Sequence, residues 1–272
     1  MSTKIIAEIG INHNGDVELA KKMITISAIA GCNFVKFQKR TPELCIPENQ
    51  KSLIRDTPWG KISYIDYKKK IEFEKKEYEQ IARHAEQEKI NWFASVWDEP
   101  SVDFCSNYSG IAKIPSALIN DLSLVSYARK KFDILLMSTG MSTEEEIENA
   151  INACKPNVIF HTNSTYPSPI NELNLSYITW LKQKYKEAEI GYSGHEFGLI
   201  TTFAAVAMGA NWIERHVTLD REMWGSDQKS SVEPTGLIKL VKGIRDIESS
   251  MGNFGPRKLL NSELLKRESL RK

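Results

Sequence analysis

EIGYSGH (189–195), LITTFAAVAMGA (199–210) and NWIERHVTL (211–219) read in turn as strand, helix and strand. Each strand is a short apolar run, and the stretch between them has helical length and spacing. The same unit recurs outward along the chain. KIIAEIG (4–10) precedes a helical stretch over 16–30 that ends at Gly31. FVKFQ (34–38) is followed by a long polar insertion with Pro and Gly punctuation, then by a charged helix over about 74–89. NWFASV (91–96) precedes 99–107, and IAKIPS (111–116) precedes 121–130. DILLMSTG (133–140) precedes TEEEIENAINAC, where Thr143 and Glu146 have the spacing of a capping box. NVIFHTN (157–163) precedes 174–186, and the last strand precedes 234–250. Eight strand–helix units in about 250 residues predict a closed (β/α)8 TIM barrel of one domain, residues 1–272, with a tail from about 251. The alternative is a doubly wound open sheet. It is weakened because no GxGxxG follows the first strand.

Composition narrows the function. The 36 Lys and Arg against 35 Asp and Glu give a net charge of +1, which argues against a nucleic-acid binder and an acidic tail. Hydrophobic residues at 41% and charged residues at 26% are ordinary for a globular chain and argue against disorder. Cys32, Cys45, Cys105 and Cys154 form no CxxC pair and read as reduced thiols. The N-terminus enters a strand at once and meets Glu8, and no apolar stretch reaches the length of a membrane span. The expectation is a soluble cytoplasmic protein with no membrane partner.

In such a barrel the site lies at the carboxyl ends of the strands. Polar residues collect there: Glu8; Lys36 and Gln38; Ser95; Lys113 and Ser116; Ser138 and Thr139; His161, Ser164 and Tyr166; Ser193 and His195; Glu214 and His216. Lys36/Gln38, Ser193/His195 and Glu214/His216 are i, i+2 pairs, which leave a strand on the same side. A barrel interior prefers aliphatic residues, so inward charges need a ligand, a metal or one another. His195 and His216 close neighbouring strands, with Glu8, Glu214 and Asp227 in the same motif set, and suit a divalent ion such as Mn²⁺. Two separately hydrogen-bonded structural histidines are the other reading. His161 reads as packed at the mouth, His84 as solvated, and His13 as able to touch substrate. Lys36 and Lys113 facing one mouth repel each other unless an anion lies between them, with Ser116 and Ser193 as donors. A Schiff-base lysine, or a strand-end Glu paired with each lysine, are the competing readings. Trp92, Trp180 and Trp212 read as core, and Trp59, Trp97 and Trp224 as loop residues.

AEIGINHNG (7–15), VKFQ (35–38), MSTGM (137–141), STYP (164–167), GYSGHEFG (191–198) and ERHVTLDREMWGSDQKSSVEP (214–234) closely resemble the sialic acid synthase family. WGKISYIDYKKKIEFEKKEY (59–78) resembles the insertion after the second strand in the animal members. The resemblance runs from about residue 4 to 260. It implies a metal-dependent condensation of phosphoenolpyruvate with an open-chain sugar aldehyde. C3 of phosphoenolpyruvate attacks the aldehyde carbon, water adds at C2, and the tetrahedral intermediate loses phosphate by C–O cleavage. It implies His195 and His216 as metal ligands, with Mn²⁺ favoured and Mg²⁺ or Co²⁺ acceptable. It implies Glu8, Lys36, Lys113, Tyr166 and Glu214 as catalytic residues. Gln38, Ser95, Ser116, Ser138, Ser164, Ser193 and Asp227 are the implied substrate contacts.

Two departures bear on the sugar. KIPSAL (113–118) keeps Lys113 and Ser116 but puts Leu118 where the family has a sugar-contacting acid. The chain stops at LLKRESLRK, where the family appends an antifreeze-like domain that lends an Arg to the partner's site. The expectation is therefore weak selection for an N-acyl group. A homodimer through barrel helices, or a partner supplying the domain, is expected. A non-catalytic sugar-acid-binding or regulatory barrel, and a metal-dependent pyruvate aldolase, are the alternative functions.

Overall fold

A computed structural model describes residues 2–252 and 255–271. Eight parallel strands close into a barrel: β1 (Lys4–Gly10), β2 (Phe34–Lys39), β3 (Asn91–Val96), β4 (Ile111–Ile114), β5 (Ile134–Ser138), β6 (Val158–Thr162), β7 (Glu189–Gly194) and β8 (Trp212–His216). Each strand pairs with its neighbours in sequence, and β1 closes on β8 with Glu8 opposite His216. The TIM-barrel expectation holds strand for strand.

Local chemistry sets the boundaries of several helices. The first helix, Val17–Ala30, is capped by Asp16, whose side chain accepts from the Glu18 and Leu19 amides. It stops at Gly31 in the left-handed conformation, φ +88°. The capping box expected from Thr143 and Glu146 is formed at the start of Glu144–Cys154.

Two apolar layers hold the barrel. One packs the outer faces of the strands against the helices. The other fills the barrel interior with Ile6, Phe34, Phe93, Leu136, Val158, Phe160 and Trp212. The second layer sets the register of the site. Two residues further along each strand, the inward position is polar: Glu8, Lys36, Ser95, Ser138, Thr162 and Glu214. On β7 the interior position is Gly191. A Cβ there would lie 2.6 Å from the Phe160 ring, so glycine makes room for that aromatic floor.

Three details differ from expectation. Trp180 is half exposed on the helix Ser176–Lys184 rather than in the core. The insertion after β2 is more structured than a polar loop. It holds short helices at Pro42–Cys45 and Glu48–Lys51, a hairpin of Ile54–Thr57 with Gly60–Ser63, and a helix at Tyr64–Ile71. Aromatic contacts dock it on the loop after β8, Trp59 and Tyr67 lying 6.3 Å and 5.2 Å from Trp224. In the tail, Asn261–Leu270 is helical with no buried residue. Among the described residues, no helix is long and apolar enough to cross a membrane, and all four cysteines are free.

Candidate active site

The polar inward positions meet in one open-mouthed cavity at the carboxyl ends of the strands. Of the site residues expected from the sequence, all but Asp227 line it. Asp227 stands just behind, its Oδ2 3.8 Å from His216 Nδ1. Thr139 and His161 turn away from the cavity. Thr139 donates to the Phe160 carbonyl, and His161 Nε2 lies 2.6 Å from the Leu173 carbonyl. His13 does not line the cavity either. It is buried against Phe73, ring centres 3.9 Å apart, and burial pushes its pKa down to about 3. His84 is half-buried and 2.9 Å from Thr25 Oγ1 rather than free in solvent. Leu118 faces an adjacent cleft with Asp98 and Asp121, so Ala117 lines the cavity in its place. The expected effect of Leu118 on the sugar wall therefore does not follow.

The two lysines are paired with strand-end carboxylates. Lys36 Nζ lies 2.7 Å from Glu8 Oε2, 3.7 Å from Glu214 Oε1 and 2.8 Å from Ser95 Oγ. Lys113 Nζ lies 2.8 Å from Glu214 Oε1 and 4.3 Å from the centre of the Phe160 ring. Ser193 donates to the same Glu214 oxygen, and Gln38 donates to Glu8 Oε1 at 3.1 Å. Two cations and two carboxylates thus balance in a buried cluster, as groups with so little access to water must.

The environment divides their acidities. Burial raises the Glu8 pKa, Lys36 opposes it, and Glu214 adds to the rise. For Glu214, burial acts in the same sense, but Lys113 and Lys36 outweigh it and hold the carboxyl down to about 2. Burial brings Lys113 down to about 8 against the pull of Glu214. One carboxyl is therefore fitted to carry a proton and its neighbour to stay ionised, the division of labour that acid–base catalysis uses. Glycine at position 10 belongs to this arrangement. It lies at a register shift between β1 and β2 with φ +54°. A Cβ there would come within 3.1 Å of both Gln38 Nε2 and Glu8 Oε1.

His195 and His216 face each other with ring centres 5.3 Å apart. His195 Nδ1 lies 2.6 Å from the Asn163 carbonyl, a contact that fixes the ring and leaves Nε2 to the cavity. Burial and His216 push its pKa down to about 3, so it is a neutral imidazole, the form that binds metals. His216 Nδ1 is buried with no hydrogen-bond partner. Among the described residues, no group of three or more His, Cys, Asp or Glu side chains is disposed to hold an ion. An ion here would take two imidazoles from the protein and leave its other positions open, the pattern of a catalytic site. The Tyr166 ring lies against that of His195, centres 4.1 Å apart and tilted by 31°, and burial pushes the pKa of its hydroxyl up, so the hydroxyl keeps its proton.

The profile of the NeuB family matches residues 23–255. The chain belongs to the NeuB family. Among NeuB-type relatives it is 38% identical to the N,N'-diacetyllegionaminic acid synthase of Campylobacter jejuni, over 96% of this chain and 80% of that one. It is 36% identical to the N-acetylneuraminate-9-phosphate synthase of Homo sapiens, over 98% and 76%. The solved N-acetylneuraminic acid synthetase of Leptospira borgpetersenii, in complex with citrate, superposes with a TM-score of 0.87 at 34% identity, over 100% and 93%.

Sequence reading missed several lining residues. Thr162 was accessible by counting in twos from Phe160 on β6. Trp97 and Met141 enter from loops, where no periodicity marks them. Asn163 acts through its backbone carbonyl, which no side-chain pattern can reveal.

Proposed function

We propose that this NeuB-family enzyme condenses phosphoenolpyruvate with an open-chain sugar aldehyde to a nonulosonate-type 3-deoxy-2-keto acid and inorganic phosphate. The buried Lys36–Glu8 and Lys113–Glu214 pairs beside two facing imidazoles carry this reading. A divalent ion, Mn²⁺ in preference to Mg²⁺ or Co²⁺, would be held by His195 and His216 and would polarise the aldehyde oxygen. Lys36, Lys113, Ser138 and Ser193 bind the phosphate and carboxylate of phosphoenolpyruvate. Ser116 accepts from the Gly140 amide at 3.1 Å, leaving its own hydroxyl proton for the ligand. Glu8 gives up Lys36 to the incoming anion most readily when it carries a proton, and its raised pKa favours that state. It then serves as the acid–base group for the water that adds at C2. Glu214 stays ionised and keeps Lys113 in place. Gln38, Ser95, Ser164 and Asp227 orient the sugar chain and the histidines.

The test is phosphate release from phosphoenolpyruvate and Mn²⁺ with a panel of hexoses, hexosamines and pentose phosphates. Stoichiometric phosphate and keto acid are expected with at least one aldehyde. Reversible condensation with free pyruvate, and none with phosphoenolpyruvate, would favour an aldolase instead.

The affinity for phosphoenolpyruvate should depend on pH through Lys113. Its pKa of about 8 belongs to the free site, and a bound anion favours the ammonium form. Affinity should therefore be flat between about pH 7 and 8, above the second ionisation of the ligand's phosphate near 6, and weaken above pH 8 by up to about tenfold per unit. Lys113→Arg should remove the decline, because a guanidinium stays charged throughout. A flat calorimetric profile to pH 9.5 in the unmodified enzyme would sink the assignment.

A further inference from the structure

Gln38 joins the site to the insertion after β2. Its amide nitrogen donates to Glu8 Oε1 at 3.1 Å, and its amide oxygen accepts from the Arg40 guanidinium. Gln38 lines the cavity, whereas Arg40, 8% exposed, does not. Arg40 is itself held from two sides. Its guanidinium lies over the Trp97 ring, 4.2 Å from the centre. Glu72, which ends the helix Tyr64–Ile71 of the insertion, accepts from the Arg40 backbone amide at 3.0 Å and places its Oε2 3.7 Å from Arg40 Nε. A chain of polar contacts thus runs Glu72–Arg40–Gln38–Glu8, and Lys36 Nζ lies 2.7 Å from the far oxygen of Glu8.

The two ends of the Gln38 amide have opposite polarity: the oxygen only accepts and the nitrogen only donates. An ionised Glu8 by itself draws the nitrogen toward it. A protonated Glu8 does not, since a carboxylic acid can donate to the amide oxygen as well as accept from the nitrogen. Arg40 removes that freedom. A guanidinium stays charged and can only donate, so it keeps the amide oxygen and turns the nitrogen to Glu8 in either state. Oε1 is then always an acceptor, which leaves Oε2, beside Lys36, as the oxygen that carries and exchanges the proton.

We propose that Arg40 is a positioning residue for the condensation: acting through Gln38, it fixes which oxygen of Glu8 exchanges the proton, and Glu72 of the insertion holds it in place. This rests on the synthase reading above and adds to it a residue that touches no reacting atom. Arg40→Met isolates the role. Glu72 keeps Lys39 at 3.2 Å in that variant, so no buried carboxylate is stranded.

In Arg40→Met, kcat for phosphate release is expected to fall about tenfold or more, the effect of a misplaced acid–base group. Calorimetric affinity for phosphoenolpyruvate should stay within about threefold, since Lys36 and Lys113 remain. In a Gln38→Met background the same Arg40 substitution should cost less than about twofold, because the contact chain is already cut. A role in folding, or a direct contact with the sugar, does not pass through Gln38. An equal loss in both backgrounds, or no loss in either, would therefore overturn the proposal. A second arm needs no turnover. In enzyme carrying isotope-labelled glutamine, the Gln38 side-chain amide is assigned by the disappearance of its resonances in Gln38→Met. Its protons should exchange slowly with solvent in the unmodified enzyme and about tenfold faster or more in Arg40→Met, with the other glutamines unchanged. Unchanged exchange in Arg40→Met overturns the contact chain whatever the activity. Faster exchange in a protein that releases phosphate with no aldehyde supports the chain, and the synthase reading then fails alone.

Discussion

Replacing either His195 or His216 by alanine is expected to cut the rate of phosphate release by roughly a hundred- to a thousandfold or more, the scale of losing a central electrostatic stabiliser. The two rings face each other 5.3 Å apart and are buried. With Asp227 standing off, no third side chain among the described residues stands by to compensate. Chelation of the unmodified enzyme should produce the same loss, reversed by Mn²⁺. Titration calorimetry with Mn²⁺ should show one site in the unmodified protein and a much weaker one in each variant. Full activity in excess chelator would rule out the metal and return the pair to a structural role. Tyr166→Phe separates positioning from ligation. It keeps the stack on His195, so metal affinity should persist while any contribution of the hydroxyl to kcat is lost.

Lys113→Met is expected to act twice. It removes a charge-assisted contact to phosphoenolpyruvate, worth about 1.5–3 kcal/mol, or roughly ten- to a hundredfold in affinity. It also leaves Glu214 with Lys36 at 3.7 Å as its remaining ion-pair partner, both of them buried. Removing one partner of a buried pair costs about 3–5 kcal/mol of stability. The Glu214 carboxyl, now held down by one lysine instead of two, should also titrate at higher pH. The double variant Lys113→Met/Glu214→Gln should recover stability, because no buried charge is stranded, but it should not recover affinity. Urea unfolding reads the first quantity and calorimetry with phosphoenolpyruvate the second. If affinity and stability in the single variant are both unchanged, Lys113 neither binds the anion nor holds Glu214.

The barrel was legible because its signal is repetition. Eight short apolar runs, each followed by a helical stretch, leave few other ways to bury both faces of a parallel sheet. The candidate site was legible for a related reason. Glu8, Lys36, Ser95 and Glu214 each lie two residues beyond an interior aromatic or aliphatic side chain on the same strand. Their inward direction follows from the period of a strand, and closure of the barrel brings them together. His161 and Thr139 looked equivalent in the sequence, but they stand one residue out of phase and face the helices.

The sequence by itself determined the strand–helix order, the helix caps and the set of polar residues at the strand ends, because these follow from local periodicity and turn chemistry. Only the tertiary structure decided how their charges pair. Lys36 answers to Glu8 directly opposite it on the neighbouring strand, whereas Lys113 reaches Glu214 across the barrel, a matter of distance between strands far apart in the chain. It alone placed Leu118 outside the cavity and docked the insertion, which has no strand period, on the loop after β8 through Trp59 and Tyr67. Periodicity reports the direction a side chain leaves its own element, whereas the partner it meets depends on closure of the barrel and docking of the insertion, which no local pattern encodes.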